Sequence, residues 1–173
     1  MKISRMLASG ELIALRRGLY VRDHMVDPLG LASAIHGPSY VSFESALAWH
    51  GLIPERVEEI ISATPKGPSC FETPIGRYRY RHVPLRVFSI GVDRVEDSKL
   101  PWLVASPTKA LCDTVALDAS IRSQKDVRAW LVGMRIEDLP ALDSVQLAAC
   151  AEHYGRPSVR HLARYFQKNP PLP

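Results

Sequence analysis

The spacing of apolar positions predicts a helix and a hairpin at the amino end of the chain. Ile3, Met6 and Leu7 recur at helical spacing before Gly10, a position where a left-handed helix end favours glycine. The runs "LIAL" and "LYV" then flank Gly18, which can take a positive φ and so favours a tight turn between two strands. We therefore predict a short helix followed directly by a small hairpin.

Two further short helices are predicted before the apolar period changes. Asp27 can cap a helix that has Pro28 at its first position. The stretch "PSYVSFESALAWHGL" at 38–52 combines two extended residues with a second helix. We expect the side chain of Ser42 to cap this helix and Gly51 to end it.

Between Glu59 and Pro107 the apolar positions alternate, which predicts strands rather than helices. Gly, Pro and acidic turns separate four predicted strands, "EIISAT", "RYRYRHV", "RVFSIGV" and "WLVAS". In the second of these, one side carries arginines and the other carries aromatic residues: Arg77, Arg79 and Arg81 alternate with Tyr78, Tyr80 and His82. The tyrosine side is expected to be covered while the arginines meet water.

The remainder of the chain has helical periodicity and several helix-start signals. Ser106 and Pro107 are typical of a helix start, and Ser123 with Asp126 resembles a capping box. Ser158 can cap the last helix. The sequence as a whole predicts an α+β fold, with a helix and hairpin first, a mainly antiparallel central sheet, and a helical C-terminal half.

Composition narrows the class of protein. The 173 residues are 46% hydrophobic, enough to bury a real core. A formal charge of +4 permits a polyanionic partner without requiring one. The three cysteines have no C-x-x-C spacing, and no apolar run is long enough to span a bilayer. These features predict a cytoplasmic protein that does not enter the membrane.

Catalytic and metal motifs give little support to an enzyme. The sequence has no G-x-S-x-G, no H-E-x-x-H and no phosphate loop, and its six histidines are scattered. His50 lies at a predicted helix end, where a capping or packing role is favoured over catalysis. Asp97 and Lys99 have the D-x-K spacing of some metal-dependent nucleases, although a solvated acidic turn explains them better. We expect no metal site and no cofactor, and a nuclease remains an alternative.

Basic residues are concentrated near the amino end. They are Lys2 and Arg5 on the first helix and Arg16, Arg17 and Arg22 on or just after the hairpin. A helix followed directly by a basic hairpin is the second half of a winged helix-turn-helix, in which the helix enters the major groove and the wing lies along phosphates. A solvated charged turn is the competing interpretation.

Two other basic surfaces compete for the same role. One is the arginine ladder, Arg77, Arg79 and Arg81; the other is the C-terminal stripe, Arg156, Arg160, Arg164 and Lys168. Either surface could meet nucleic acid or an acidic protein partner, and either is also compatible with an ordinary exposed face. A protein-interaction module without DNA binding is therefore a further alternative.

Four stretches together resemble the AbiEi-type antitoxin family of type IV toxin-antitoxin systems. They are "GELIALRRGLYV" at 10–21, "DPLGLASAIHGPSYVSFESALAWHGLIPE" at 27–55, the set Thr73, Pro74, Gly76, Tyr78 and Tyr80, and "ASPTKALCD" at 105–113. The stretch at 38–52 is the most specific part of the likeness. Helices beyond about residue 120 match in general character only.

The resemblance implies a non-enzymatic antitoxin that represses its own operon and counters a nucleotidyltransferase toxin encoded beside it. Its partners would be promoter DNA, bound by Lys2, Arg5, Arg16, Arg17 and Arg22, and the toxin. A partial winged helix would occupy residues 1–24 and the antitoxin C-terminal domain residues 25–173. That second domain would be marked by the following residues: Tyr40, Ser42, Glu44, Ser45, His50, Gly51, Lys109 and Asp113.

For the marker residues we expect an architectural role. Lys109 and Asp113 are an i, i+4 pair on one helix face, and Ser42 and Gly51 have capping explanations. The sequence departs from the family at its start, because family members usually have two further helices ahead of the position of Met1. We therefore expect the recognition helix to lack support and its orientation in a groove to be poorly fixed.

Overall fold

The amino-terminal segment forms the predicted helix and hairpin. In the computed structural model, which describes residues 2–22, 24–54, 57–96, 98–136 and 138–170, helix α1 spans Lys2–Ala8 and strands β1 and β2 span Ile13–Arg16 and Leu19–Val21. The two strands pair antiparallel. Gly10 and Gly18 have φ values of 76° and 82°, so both take the left-handed conformation that the sequence predicted for them.

A six-stranded sheet forms the centre of the protein. Its strands are β3 (Tyr40–Val41), β4 (Glu59–Thr64), β5 (Ser69–Thr73), β6 (Gly76–His82), β7 (Val92–Val95) and β8 (Trp102–Ala105). They lie in the order β5-β6-β4-β3-β8-β7. Antiparallel pairs are β3 with β4, β5 with β6 and β7 with β8, whereas β3 with β8 and β4 with β6 are parallel. The α+β class is confirmed, with a sheet that is mixed and mainly antiparallel.

Within the described residues there are six further helices, and the last four of them dominate the C-terminal half, as predicted. They are α2 (Pro28–Ile35), α3 (Phe43–Trp49), α4 (Pro107–Ala116), α5 (Gln124–Gly133), α6 (Ser144–Tyr154) and α7 (Pro157–Lys168). Three of the predicted caps are confirmed, because the side chains of Asp27, Ser106 and Ser123 accept hydrogen bonds from first-turn amides of α2, α4 and α5.

Helix α2 covers the tyrosine side of β6. Tyr78 and Tyr80 are 0% and 1% exposed. Their hydroxyl groups donate to the backbone carbonyls of Pro28 and Ala32, at 3.0 and 2.7 Å. Each tyrosine therefore buries its ring and still satisfies its polar tip, which confirms the predicted burial of this side.

The opposite face of the sheet packs against α3 and α4. The strand registers place Tyr40, Ala63 and Arg81 on this face, because side chains alternate along each strand. Arg81 lies with its guanidinium carbon 5.0 Å from the ring centroid of Phe43, the first residue of α3. The two faces of the sheet are thus covered by different helices, and the core is divided between them.

The predicted strand "RVFSIGV" is wrong. Its first part forms a short 3-10 helix over Leu85–Val87, and strand pairing begins only with β7 at Val92. Val87 is fully buried while Leu85 is 75% exposed, so the apolar residues do not share one side of an extended strand. Gly91, at a φ of 60°, ends the irregular segment.

Strand β5 was not predicted. Among the strands of the described residues it pairs with β6 alone, and it therefore lies at the edge of the sheet. None of its residues is fully buried. Its sequence therefore lacks the strong alternation of apolar and polar residues that a covered sheet face requires.

Two predicted caps are also wrong. Ser42 occupies the N-cap position of α3, but its side chain makes no capping hydrogen bond and donates instead to Asp113. Ser158 lies inside α7, after Pro157, and the N-cap residue is Arg156. In both cases local sequence identified the helix start but tertiary contacts or the adjacent proline gave the serine another position or partner.

Candidate functional site

Most of the amino-terminal cations are exposed and available for contact. Lys2 and Arg5 lie on α1, and Arg17 and Arg22 lie at the hairpin turn and after β2. None of the four forms a salt bridge within the described residues. Helix α1 buries none of its side chains, and Ile3 is 49% exposed. The segment therefore presents positive charge on a helix that packs weakly against the rest of the protein.

Arg16 differs from the other amino-terminal cations because the protein itself engages its guanidinium. Its Nη1 donates to the carbonyl of Ile35 at the end of α2. Its guanidinium carbon lies 5.4 Å from the ring centroid of Phe71 on β5. Leu15 beside it is only 5% exposed. Through these contacts, Arg16 and Leu15 pack the hairpin against α2 and β5.

The arginine ladder is neutralised by three glutamates. Arg77 pairs with Glu72 at 3.2 Å, Arg79 with Glu59 at 2.6 Å, and Arg81 with Glu44 at 3.3 Å. The hydrogen bond to Glu59, together with its charge, raises the pKa of Arg79. Because each cation has an acidic neighbour, the ladder offers little net charge to a polyanion.

The C-terminal stripe is exposed along its full length. Arg156, Arg160, Arg164 and Lys168 are all exposed, and none forms a salt bridge within the part of the chain that the structure describes. The opposite side of α7 is buried through Val159, Leu162, Ala163 and Phe166, as predicted. This surface therefore remains positively charged and unoccupied by other side chains.

The nuclease hypothesis gains no site from the structure. Asp97 lies outside the described residues, and Lys99 is exposed. With Arg22, Lys99 lines an open cavity of about 580 Å³ beside the end of β2. Among the described residues no group of three histidine, cysteine, aspartate or glutamate side chains could hold a metal ion.

Four of the residues expected to mark the second domain meet in a buried polar network centred on Asp113. This carboxylate accepts four hydrogen bonds. Tyr40 and Ser42 donate to Oδ2, at 3.0 and 2.6 Å. Lys109 and Tyr154 donate to Oδ1, each at 2.5 Å. Lys109 and Asp113 are both 0% exposed, so the predicted i, i+4 pair is confirmed and is entirely buried.

Aromatic rings enclose the buried ammonium group. The Nζ atom of Lys109 lies 5.7 Å from the ring centroid of Tyr40 and 4.9 Å from that of Tyr154. Burial and the adjacent Asp113 carboxylate raise the pKa of both tyrosines, which therefore keep their protons and act as donors. A satisfied network without solvent access is suited to joining β3, α4 and α6 rather than to catalysis.

A pair of thiols lies next to this network. Cys112 and Cys150 are both buried and unbridged. Interaction with the Cys150 thiol, followed by burial, raises the pKa of Cys112. The pair extends the contact between α4 and α6 beyond Asp113.

The other marker residues hold α3 in place. Ser45 accepts a hydrogen bond from the amide of Ile61 at 2.8 Å and donates to the carbonyl of Glu59 at 3.2 Å. His50 makes a hydrogen bond through Nε2 to the carbonyl of Ala105 at 2.8 Å. These contacts support the architectural role that we expected for the stretch at 38–52.

Tyr154 is the main residue of the network that sequence reasoning missed. It lies 41 positions from Asp113 and ends α6, where nothing in the local pattern separates it from a packing residue. Only the packing of α6 on α4 brings its hydroxyl to the carboxylate. No distinctive sequence signal could have identified this contact.

Comparison with known proteins adds no family assignment. No protein-family model and no curated protein sequence matches this chain. Within the described residues, none of the helices combines the length and apolar character needed to cross a membrane.

Proposed function

We propose that the protein is a type IV antitoxin that binds the promoter of its own operon and counteracts a nucleotidyltransferase toxin. The observation that carries the DNA-binding part is the hairpin directly after α1, on which Arg17 is exposed and unpaired within the described chain. Lys2, Arg5 and Arg22 add exposed positive charge to the same segment. Phosphate contacts by such groups are the source of most sequence-independent affinity for DNA.

Two observations support the antitoxin proposal. One is the sequence resemblance to the family, and the other is the buried network around Asp113, which gives four residues of that resemblance a scaffold role. An architectural role for Ser42, Lys109 and Asp113 leaves the exposed surface to contact partners. The protein-interaction alternative through the arginine ladder is less favoured because glutamates already neutralise that surface.

The DNA-binding proposal can be tested by gel shift with the promoter of the protein's own operon. We expect Arg17→Ala and Arg22→Ala to weaken binding, and each lost phosphate contact to reduce the salt slope by about one. Arg77→Ala is a matched control, because Arg77 is exposed but paired with Glu72. Equal binding by the wild type and the double variant at every salt concentration would remove the hairpin from DNA recognition.

The antitoxin proposal has a separate test. Co-expression with the neighbouring nucleotidyltransferase should restore growth of cells that the toxin alone arrests. An absence of rescue at matched expression would contradict the antitoxin assignment. Rescue by the Arg17→Ala and Arg22→Ala double variant would show that neutralising the toxin does not need DNA contact.

A further inference from the structure

A second basic site lies far along the chain from the hairpin, at the start of α7. There, an open cavity of about 430 Å³ lies between the segment after α4 and the first turns of α7. Its lining combines apolar and polar groups: Ala116, Leu117, Ala119, Ile121 and Pro157 with Asp118, Arg122, Arg156, Ser158 and His161. Cavities of this size accommodate small organic molecules.

The N-terminus of α7 faces this cavity without a capping side chain. Pro157 is the first helical residue, and the side chain of the N-cap residue Arg156 makes no capping hydrogen bond. The aligned peptide dipoles give this end of the 12-residue helix a partial positive charge. An acceptor carried by a ligand could therefore bind at the first turn.

Ser158 provides an independent indication of a ligand. It lines the cavity and is only 6% exposed. Within the described residues its hydroxyl makes no hydrogen bond, and it is not among the fully enclosed polar atoms, so the oxygen is open to the cavity. A ligand oxygen in the cavity would satisfy this donor.

Charged side chains at the cavity favour an anion. Arg122 and Arg156 are exposed at its edge and form no salt bridge within the described chain. His161 adds an imidazole donor. The single carboxylate, Asp118, already accepts two hydrogen bonds on Oδ1 from the amide and hydroxyl of Ser120. Two arginines and one carboxylate therefore line the cavity, and Oδ1 of that carboxylate is already bonded within its own loop.

We infer that this cavity binds a phosphate group, either free or esterified to a small molecule. The phosphate would lie at the first turn of α7, where it would accept from Ser158 and from the guanidinium groups of Arg122 and Arg156. Guanidinium and phosphate match in charge and in planar donor geometry. Leu117, Ile121 and Pro157 form an apolar wall for the remainder of an esterified ligand.

Calorimetric titration of the full chain tests the inference with three probes: inorganic phosphate, adenosine monophosphate and adenosine. Chloride at matched ionic strength serves as the reference. We expect one or both phosphate-bearing probes to bind and adenosine to give no signal. Tighter binding of adenosine monophosphate than of phosphate would identify an esterified ligand, and equal binding would identify the free anion.

Variants assign any binding to the cavity. The double variant Arg122→Gln with Arg156→Gln should weaken Kd on the order of tenfold or more, because two charge-assisted contacts are lost. Ser158→Ala should weaken it less, and Asp118→Asn should tighten it by removing the opposing charge. The matched control is Arg128→Gln with Arg164→Gln, which removes the same charge from exposed positions of α5 and α7 away from the cavity.

Two outcomes would overturn the phosphate site. One is heat no greater than that of chloride with both phosphate-bearing probes. The other is an equal loss of binding in the control pair and in the Arg122 and Arg156 pair, which would indicate nonspecific charge attraction. Neither result depends on the toxin or on promoter DNA, so the site can fail while the proposed antitoxin function stands.

Discussion

The hairpin segment and the Asp113 network use charge in opposite ways. At the amino end, Lys2, Arg5, Arg17 and Arg22 are exposed and unpaired within the described residues, and α1 buries no side chain. Around Asp113, the charged pair is 0% exposed and the carboxylate accepts four hydrogen bonds. The contrast shows that the exposed charges of the amino end lack protein partners, whereas the buried charges around Asp113 are satisfied by the fold itself.

Arg16 connects the two kinds of region. It belongs to the basic hairpin by sequence, but its guanidinium is bound to the end of α2 and lies over Phe71. A positive residue in a pattern that predicts DNA binding can therefore be a structural anchor. Substitutions that treat Arg16 and Arg17 separately will distinguish these roles.

The largest expected effect comes from removing the buried carboxylate. Asp113→Asn should lower the free energy of unfolding by about 3–5 kcal/mol, because the buried Lys109 would lose its charged partner. Urea denaturation monitored by circular dichroism measures the change. Lys109→Met with Asp113→Leu should be milder, since the double variant leaves no unpaired buried charge. A stability of Asp113→Asn equal to the wild type would mean that the network does not hold the fold.

A smaller effect is expected at the hairpin anchor. Arg16→Ala should destabilise the hairpin by roughly 1 kcal/mol, after allowance for the solvent exposure of this side chain. Hydrogen exchange should become faster for amides in Ile13–Arg16 and Leu19–Val21. Arg17→Ala is the control, and we expect its exchange rates to match the wild type. Equal acceleration in both variants would contradict the anchor role of Arg16.

The arginine ladder should respond unequally along its length. Arg81→Ala should cost about 1 kcal/mol, because this half-buried side chain joins Glu44 and the ring of Phe43. Arg77 and Glu72 are 54% and 77% exposed, so Arg77→Ala should leave the unfolding midpoint unchanged. Thermal unfolding of the two variants provides the comparison. A larger loss in Arg77→Ala would reverse our assignment of the structural arginine.

The smallest effect concerns pH. Burial, followed by the charges of Lys66 and Arg16, lowers the pKa of His36 below its usual 6.5. The unfolded chain therefore takes up a proton at higher pH than the folded protein does. The stabilising contribution is present above pH 6.5 and is lost as pH falls through the lower pKa of the folded state. The urea midpoint of the wild type should fall as pH drops below 6.5, and His36→Gln should reduce that fall. An equal fall in the wild type and the variant would exclude His36 as its source.

Local sequence signals predicted elements better where one side of the element is buried. The alternation in "RYRYRHV" predicted both β6 and the burial of Tyr78 and Tyr80, because a covered sheet face requires a period of two. The strand predicted for "RVFSIGV" at 86–92 was wrong, since the chain forms a 3-10 helix and a turn after Pro84. Edge strand β5 lacked a buried side and so lacked a clear signal.

The candidate sites were predictable to different degrees. Exposed arginines on the hairpin and on α7 could be located from sequence, because charge on the polar side of an element meets water. The anchoring of Arg16 and the contribution of Tyr154 could not, since each depends on an element distant in sequence. The cavity at α7 likewise needs the approach of the segment after α4.

The sequence alone determined the α+β class, most helix and strand positions and the exposed basic surfaces, because these follow from residue periodicity and short-range capping. Tertiary structure decided which charges are free and which are bound. Asp113 gathers donors from β3, from the residue before α3, and from α4 and α6, while Arg16 finds its acceptor on α2. Which groups a charged side chain can bond within the fold depends on the distances between elements, and no local sequence pattern encodes those distances.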